Sequence, residues 1–110
     1  MPFFQVQVAR QYGFGRLLLA NQPVGRQSQR YIVEELKRDS SFDFYCFVDS
    51  VALVRQLAEV ARDSGLKRPL QVILEGGFAG GRTGCRTLAD AMAVARAIKS
   101  WSGPERVAVV

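Results

Sequence analysis

Histidine is absent from this 110-residue chain, and its absence excludes a good deal. Without an imidazole there is no Ser-His or Cys-His pair to activate a nucleophile, and no plausible zinc or iron constellation. Cysteine is scarce: Cys46 and Cys85 are the only two, too few for a disulfide framework. Cys46 sits in an apolar, strand-like run, where a buried thiol is the ordinary expectation. No apolar run approaches the ~20 residues that a membrane span needs. Met1, Pro2, Phe3 and Phe4 offer neither a basic n-region nor the long apolar stretch of a signal peptide. These absences predict a soluble, cytoplasmic protein. Lysine is scarce too, with Lys37, Lys67 and Lys99 the full set.

Arginine is what the chain has instead. Twelve arginines and three lysines against ten acidic residues leave a net charge of +5, a balance that invites a nucleic-acid partner. The basic residues are scattered, however: Arg10, Arg16, Arg26, Arg30, Arg38 and Arg55 fall mostly on the polar faces or ends of predicted helices, and Arg62, Arg68, Arg96 and Arg106 continue the pattern. No stripe pairs clustered basics with interleaved aromatics, so a solvated surface is expected and nucleic acid is not.

Four short apolar runs have strand length and composition: Leu17–Ala20, Phe44–Val48, Val72–Leu74 and Val107–Val110. They are nearly apolar throughout, as parallel strands covered on both faces are. Helical segments separate them. The first covers about Phe3–Tyr12 and ends at Gly13, although Gln5 to Val8 also fits a strand. The second runs from about Val24 to Arg38, behind Pro23. A third follows the N-cap candidate Ser50, with Val51, Val54, Leu57, Ala58 and Ala61 at helical spacing, and stops at Ser64 and Gly65. The fourth follows Thr87, which with Asp90 resembles a capping box; Leu88, Ala91, Met92, Ala95 and Ile98 form its apolar stripe.

Strand starts at 17, 44, 72 and 107 space the βα units so that right-handed crossovers and a parallel sheet follow. In sequential strand order every helix lies on one face, and the other face stays open unless the sheet curls into a barrel. The predicted fold is α/β: parallel βα repeats with four strands, about half of a TIM (β/α)8 barrel, which takes about 250 residues when complete. Residues 1–110 are then a single partial-barrel segment.

In such folds the chemistry collects where strands end. The polar residues there are Asn21 and Gln22, Asp49 and Ser50, and Glu75 and Gly76. Asp49 and Ser50 are equally good helix caps. Glu75 and Asp49 are candidates for an acid and base across adjacent strand ends, a weak signal by itself. Glu75 opens the most informative stretch of the chain, Gln71 to Arg86, in which five glycines surround Arg82. Its glycine spacing matches a P-loop, but Arg82 stands where the lysine belongs. Arginine is not a neutral replacement there, and Gly84 interrupts the place where the P-loop helix should run. Nucleotide hydrolysis is not expected.

Leu74 to Arg86, with Arg82, Thr83 and Gly84 at its centre, resembles the fold-type III pyridoxal-phosphate enzymes. It is nearest to their D-threonine aldolase, D-serine dehydratase and amino-acid deaminase branch, in which a "D-x-G-x-x-R-T-G" segment occurs. Leu18 to Gly25 is similar to that family's "ILLANQLVG" segment, and Phe47 to Ser50 to its strand leading into the next helix. The resemblance spans nearly the whole chain. It implies an alanine-racemase-like barrel, pyridoxal phosphate as cofactor and a D-amino-acid substrate. Arg82 is the expected hydrogen-bond partner of the cofactor's phenolic oxygen, and Asn21 a residue lining the barrel mouth. The family's Schiff-base lysine lies in a "P-H-x-K-T"-like motif, and no such motif occurs here. Its metal pair and late phosphate-binding strands are missing as well.

The chain is therefore expected to be a fragment of a pyridoxal-phosphate-dependent lyase or deaminase, inert alone, with no catalytic residue and no metal ligand of its own. Self-association through exposed sheet edges is expected. The alternative is a freestanding α/β module that holds a phosphate or carboxylate in the glycine-rich loop.

Overall fold

The computed structural model describes residues 3–77, 81 and 83–101. In chain order the elements are α1 (Phe3–Gln11), β1 (Arg16–Leu19), α2 (Arg26–Arg38), β2 (Asp43–Val48), α3 (Val51–Asp63), β3 (Gln71–Leu74) and α4 (Leu88–Ser100). The strands form a parallel sheet in the order β1-β2-β3, with Leu17 beside Phe44 and Cys46 beside Val72. The architecture is mixed α/β, with four helices and three strands among the described residues. The fourth strand expected at Val107–Val110 lies outside them.

Local chemistry sets the element ends. Ser50 Oγ accepts from the Leu53 N–H at 3.1 Å and starts α3, and Thr87 Oγ1 does the same for Asp90 at 3.0 Å at the head of α4, each satisfying an otherwise orphaned amide. Helix α2 begins at Arg26, not Val24, because Gly25 takes φ 89° as its N-cap, a left-handed backbone that cannot continue a helix. At the other end of α3 the chain turns through Gly65 at φ 77°.

The core lies between the sheet and the helices, which all occupy one face. Leu17, Leu19, Phe44, Cys46 and Val48 point into it from the strands, and meet Ile32, Val33 and Leu36 of α2 and Val54, Leu57 and Ala58 of α3. Phe42 and Phe44 pack with ring centroids 5.8 Å apart. Each such fully buried side chain contributes about 1.5–3 kcal/mol.

The opposite sheet face corrects the expectation of strands covered on both sides. Burial alternates along β1 and β2. By register, Leu18, Tyr45, Phe47 and Ile73 share the other face; Leu18 is 46% and Ile73 39% exposed. A three-stranded sheet with all helices on one side leaves this face, apolar toward the strand C-termini but carrying Arg16, Asp43 and Gln71 at the other end, with no described layer over it. Helix α4 departs in the same way. It packs through Val94 with Ala91, Ala97, Ile98 and Trp101, whereas Leu88 and Met92, expected in its apolar stripe, are 79% and 45% exposed. No helix among the described residues is long and apolar enough to cross a membrane.

Candidate functional site

Beyond Leu74 the backbone makes a closed loop. Gly76 bridges Cys85 in parallel fashion. The Gly77 N–H donates to the Cys85 carbonyl at 2.9 Å, and the Cys85 N–H to the Glu75 carbonyl at 2.9 Å. Gly84 makes this crossing possible: its φ is 100°, and a Cβ there would stand 2.7 Å from the Gly77 nitrogen and 2.8 Å from the Gly76 carbonyl carbon. Arg86 straps the loop from outside, donating to the Thr83 carbonyl at 3.1 Å and the Gly81 carbonyl at 2.7 Å.

Two carboxylates hold the loop to the strand ends. Glu75 Oε1 accepts from the Thr83 hydroxyl and from Gln22 Nε2 at 3.2 Å. Asp49 Oδ2 accepts from the Gly84 N–H at 3.0 Å. The C-terminal ends of all three described strands are therefore joined by side chains. Glu75 and Asp49, candidates for an acid and base, are brought together as acceptors for adjacent residues, Thr83 and Gly84, which gives them a structural task.

Asn21 lies two residues beyond the end of β1 and is half-buried. Its Oδ1 accepts from the Gln22 N–H at 3.2 Å, and its carbonyl accepts from Phe47 N–H at 3.3 Å. Arg82 lies outside the described residues, between Gly81 and Thr83. Ser50 is the α3 cap, while Asp49 is turned to the loop, so the two cap candidates divide their roles.

A cleft of about 350 Å³ opens between the N-termini of α3 and α4, lined by Asp49, Ser50, Cys85, Arg86 and Asp90 among others. The Cys85 thiol is pushed up by burial and then by the carboxylates of Asp49, Asp90 and Glu75. It is a protonated donor to the Asp49 carbonyl at 3.5 Å rather than a nucleophile. Among the described residues no group of three or more Cys, Asp or Glu side chains could hold a metal.

The three lysines are found at the other end of the sheet. Lys37, in the last turn of α2, donates to the Ser64 carbonyl at 2.7 Å and stands 3.8 Å from Glu34. Lys67 lies between α3 and β3, and Lys99 in the last turn of α4. Helices of parallel βα units run back from the strand C-termini, so these positions are remote from Glu75 and Asn21.

Some buried polar contacts that hold the fold were not legible in the sequence. Arg10, expected on the surface, has a side chain only 7% exposed; it pairs with Glu35 at 3.1 Å and Asp39 at 2.7 Å and lies 3.9 Å over the Phe42 ring. Arg68 donates to the carbonyls of Leu36, Asp39 and Ser40, closing the end of α2. Gln29 is fully buried and bonds Pro23 O at 3.0 Å and Gln56 at 3.2 Å. These partners are about six to thirty-two residues away in sequence, beyond the reach of any local pattern.

No family model and no curated protein matches the chain. Among solved structures it is similar to D-threonine aldolase from Filomicrobium marinum, with a TM-score of 0.73 and 20% sequence identity over 88% of this chain. The match takes in 25% of the aldolase chain, so this chain spans about a quarter of that protein's length. At such identity the likeness is one of fold. The described residues thus form a partial α/β fold, of a kind also found within D-threonine aldolase.

Proposed function

We propose that the chain is a segment of a fold-type III pyridoxal-phosphate-dependent D-amino-acid lyase or deaminase, contributing consecutive αβ units of its (β/α)8 barrel. One observation carries the reading: a sequentially ordered parallel sheet has all its described helices on one face, and the opposite face presents layers of inward-pointing side chains, Arg16, Asp43 and Gln71 at one end and Leu18, Tyr45, Phe47 and Ile73 beyond them, as a barrel interior does. The fold shared with part of D-threonine aldolase supports it, as do the segments around Asn21, Asp49 and Arg82. In the complete enzyme Arg82 would contact the cofactor and Asn21 line the mouth. The substrate would be a D-amino acid, the compartment cytoplasmic, and nucleic acid no partner.

The described residues do not fit a pyridoxal-phosphate site of their own. None of Lys37, Lys67 and Lys99 stands at the strand C-termini, and the carboxylates of Asp49 and Glu75 stand where an anionic cofactor would need cations. The chain alone is therefore inert. The freestanding anion-binding module draws less support. The described loop amides that such a module would turn to its ligand, those of Gly77, Gly84 and Cys85, are already engaged by Cys85 O, Asp49 and Glu75 O.

Two measurements test the proposal. Pyridoxal phosphate mixed with the isolated chain is expected to give no new absorbance near the visible edge; a stable band abolished by Lys67→Ala overturns it. An aldolase whose matching quarter is replaced by this chain is expected to fold and bind the cofactor. A chimera that folds but binds none counts against the assignment.

A further inference from the structure

The sheet face opposite the helices changes character along the strands. Leu18, Tyr45, Phe47 and Ile73 occupy the part toward the strand C-termini, and Arg16, Asp43 and Gln71 the N-terminal end. The three polar side chains form one row across the strands. Arg16 Nε stands 3.2 Å from Asp43 Oδ2. Gln71 Nε2 donates to Asp43 Oδ1 at 2.8 Å and to the Phe44 carbonyl at 3.2 Å. Both oxygens of Asp43 are therefore engaged, while the terminal nitrogens of Arg16 have no acceptor among the described residues. The Arg16 side chain is 83% exposed, against 32% for Asp43.

We infer that a barrel taking this sheet into its wall supplies a carboxylate to Arg16, from an Asp or Glu at an inward-facing position near the N-terminal end of another strand. The inference rests on the barrel-segment reading and names the chemistry that this face meets. Closing the wall removes much of the water around Arg16, and a guanidinium cannot shed its proton to escape. An exposed ion pair is worth little to stability, whereas an enclosed charge with too few partners is strongly unfavourable. Asp43 offers one oxygen, at Nε, and shares the other with Gln71. A second carboxylate satisfies the terminal fork, whose paired donors match its two oxygens.

Charge complementarity selects among occupants of the face. A wholly apolar layer would cover the guanidinium without giving it a further acceptor. A second copy laid face to face would bring another Arg16, beside an Asp43 engaged in the same way, so cations would outnumber free acceptors. Strands that carry a carboxylate at one end and apolar side chains beyond it match both halves of the face.

The aldolase chimera supplies such strands, and the test is made in it with Asp43→Asn as background. Asparagine keeps an acceptor for Gln71 and removes the counter-charge that Arg16 already has. In urea melts Arg16→Lys is expected to hold the midpoint near that of the background, and Arg16→Met to lower it. Arg16→Glu should fall further, with a folding constant at least ~tenfold below that of Arg16→Met, because two carboxylates then meet. Arg16→Met at or above the background midpoint overturns the inference, since Arg16 then has no partner beyond Asp43. If that chimera still folds and binds the cofactor, the barrel-segment reading stands without it. The same ranking in the isolated chain also overturns it, because the effect would then arise within this segment. A chimera that folds in none of its forms removes the barrel reading, and this inference with it.

Discussion

Gln22 Nε2 donates to Glu75 Oε1 at 3.2 Å, joining the ends of β1 and β3 across β2. These strands are not neighbours, so the bond links the two sides of the sheet at the rim where the candidate site lies. Glu75 also receives the Thr83 hydroxyl, which makes it the junction between sheet and glycine-rich loop. Glu75→Ala is expected to lower stability in a urea melt by about 1–3 kcal/mol, two hydrogen bonds being lost. A double-mutant cycle of Gln22→Ala and Glu75→Ala should show a coupling of ~1 kcal/mol; additive effects would mean that the two strand ends are independent.

Replacing Gly84 tests the loop crossing. Its φ of 100° and the 2.7 Å approach to Gly77 leave no room for a Cβ against backbone atoms that cannot swing aside. Gly84→Ala should cost about 1–3 kcal/mol and free the Gly84 amide from Asp49. Amide exchange at Gly77 and Cys85, whose bonds form the crossing, should then rise well above that of β2. Unchanged exchange would refute the crossing.

The Arg10 cluster predicts loss of stability in acid. Burial by itself would raise Glu35, but hydrogen bonds from Arg38 and Arg10 outweigh it and hold the carboxyl below its usual range. Asp39 is held well below the usual carboxylate range by the Ser41 hydroxyl and then by Arg10. Both groups are depressed in the folded state, so their stabilisation is fully present above the unfolded carboxylate values of ~4 and is lost as pH falls through the folded ones. Urea midpoints should be level from about pH 5 to 7 and fall below about pH 4. Arg10→Met should lower the midpoint at neutral pH and flatten that decline; an unaltered pH profile would show that the cluster contributes nothing.

Thiol chemistry should report unfolding and not catalysis. Burial pushes the Cys46 thiol up to about 12, and Cys85 is buried and raised by the same cause. Neither should react with a disulfide reagent in the native protein near pH 8, since the thiolate is the reactive form. In urea, Cys46 should become reactive together with global unfolding, because it lies in the central strand. Rapid native labelling of Cys46 would contradict its place in the core.

Caps, turns and repeats were legible in advance because they are decided within a few residues. Ser50 and Thr87 cap the helices they precede, Gly65 turns the chain after α3, and the apolar runs became β1, β2 and β3 in sequential order. The polar pairs at Asn21, Asp49 and Glu75 were also recognisable as strand ends. Their hydrogen-bond partners were not. Glu75 meets Gln22 fifty-three residues away, and Asp49 meets Gly84 thirty-five residues on, contacts that exist only once the strands align in register.

Which apolar residues are covered was likewise a tertiary decision. Leu88 and Met92 share a helical period with Ala91 and Ile98, and Leu18 alternates with Leu17 and Leu19. Periodicity assigns each to a face but does not say whether anything packs there. That depends on how far the sheet extends and what stands at its edges. The amino-acid order thus determined the α/β repeat and its parallel sense, through hydrogen bonds and side-chain spacing that act locally. The assembled layers alone decided that, among the described residues, one sheet face and two helix flanks have nothing packed on them, because covering them requires partners distant in the chain.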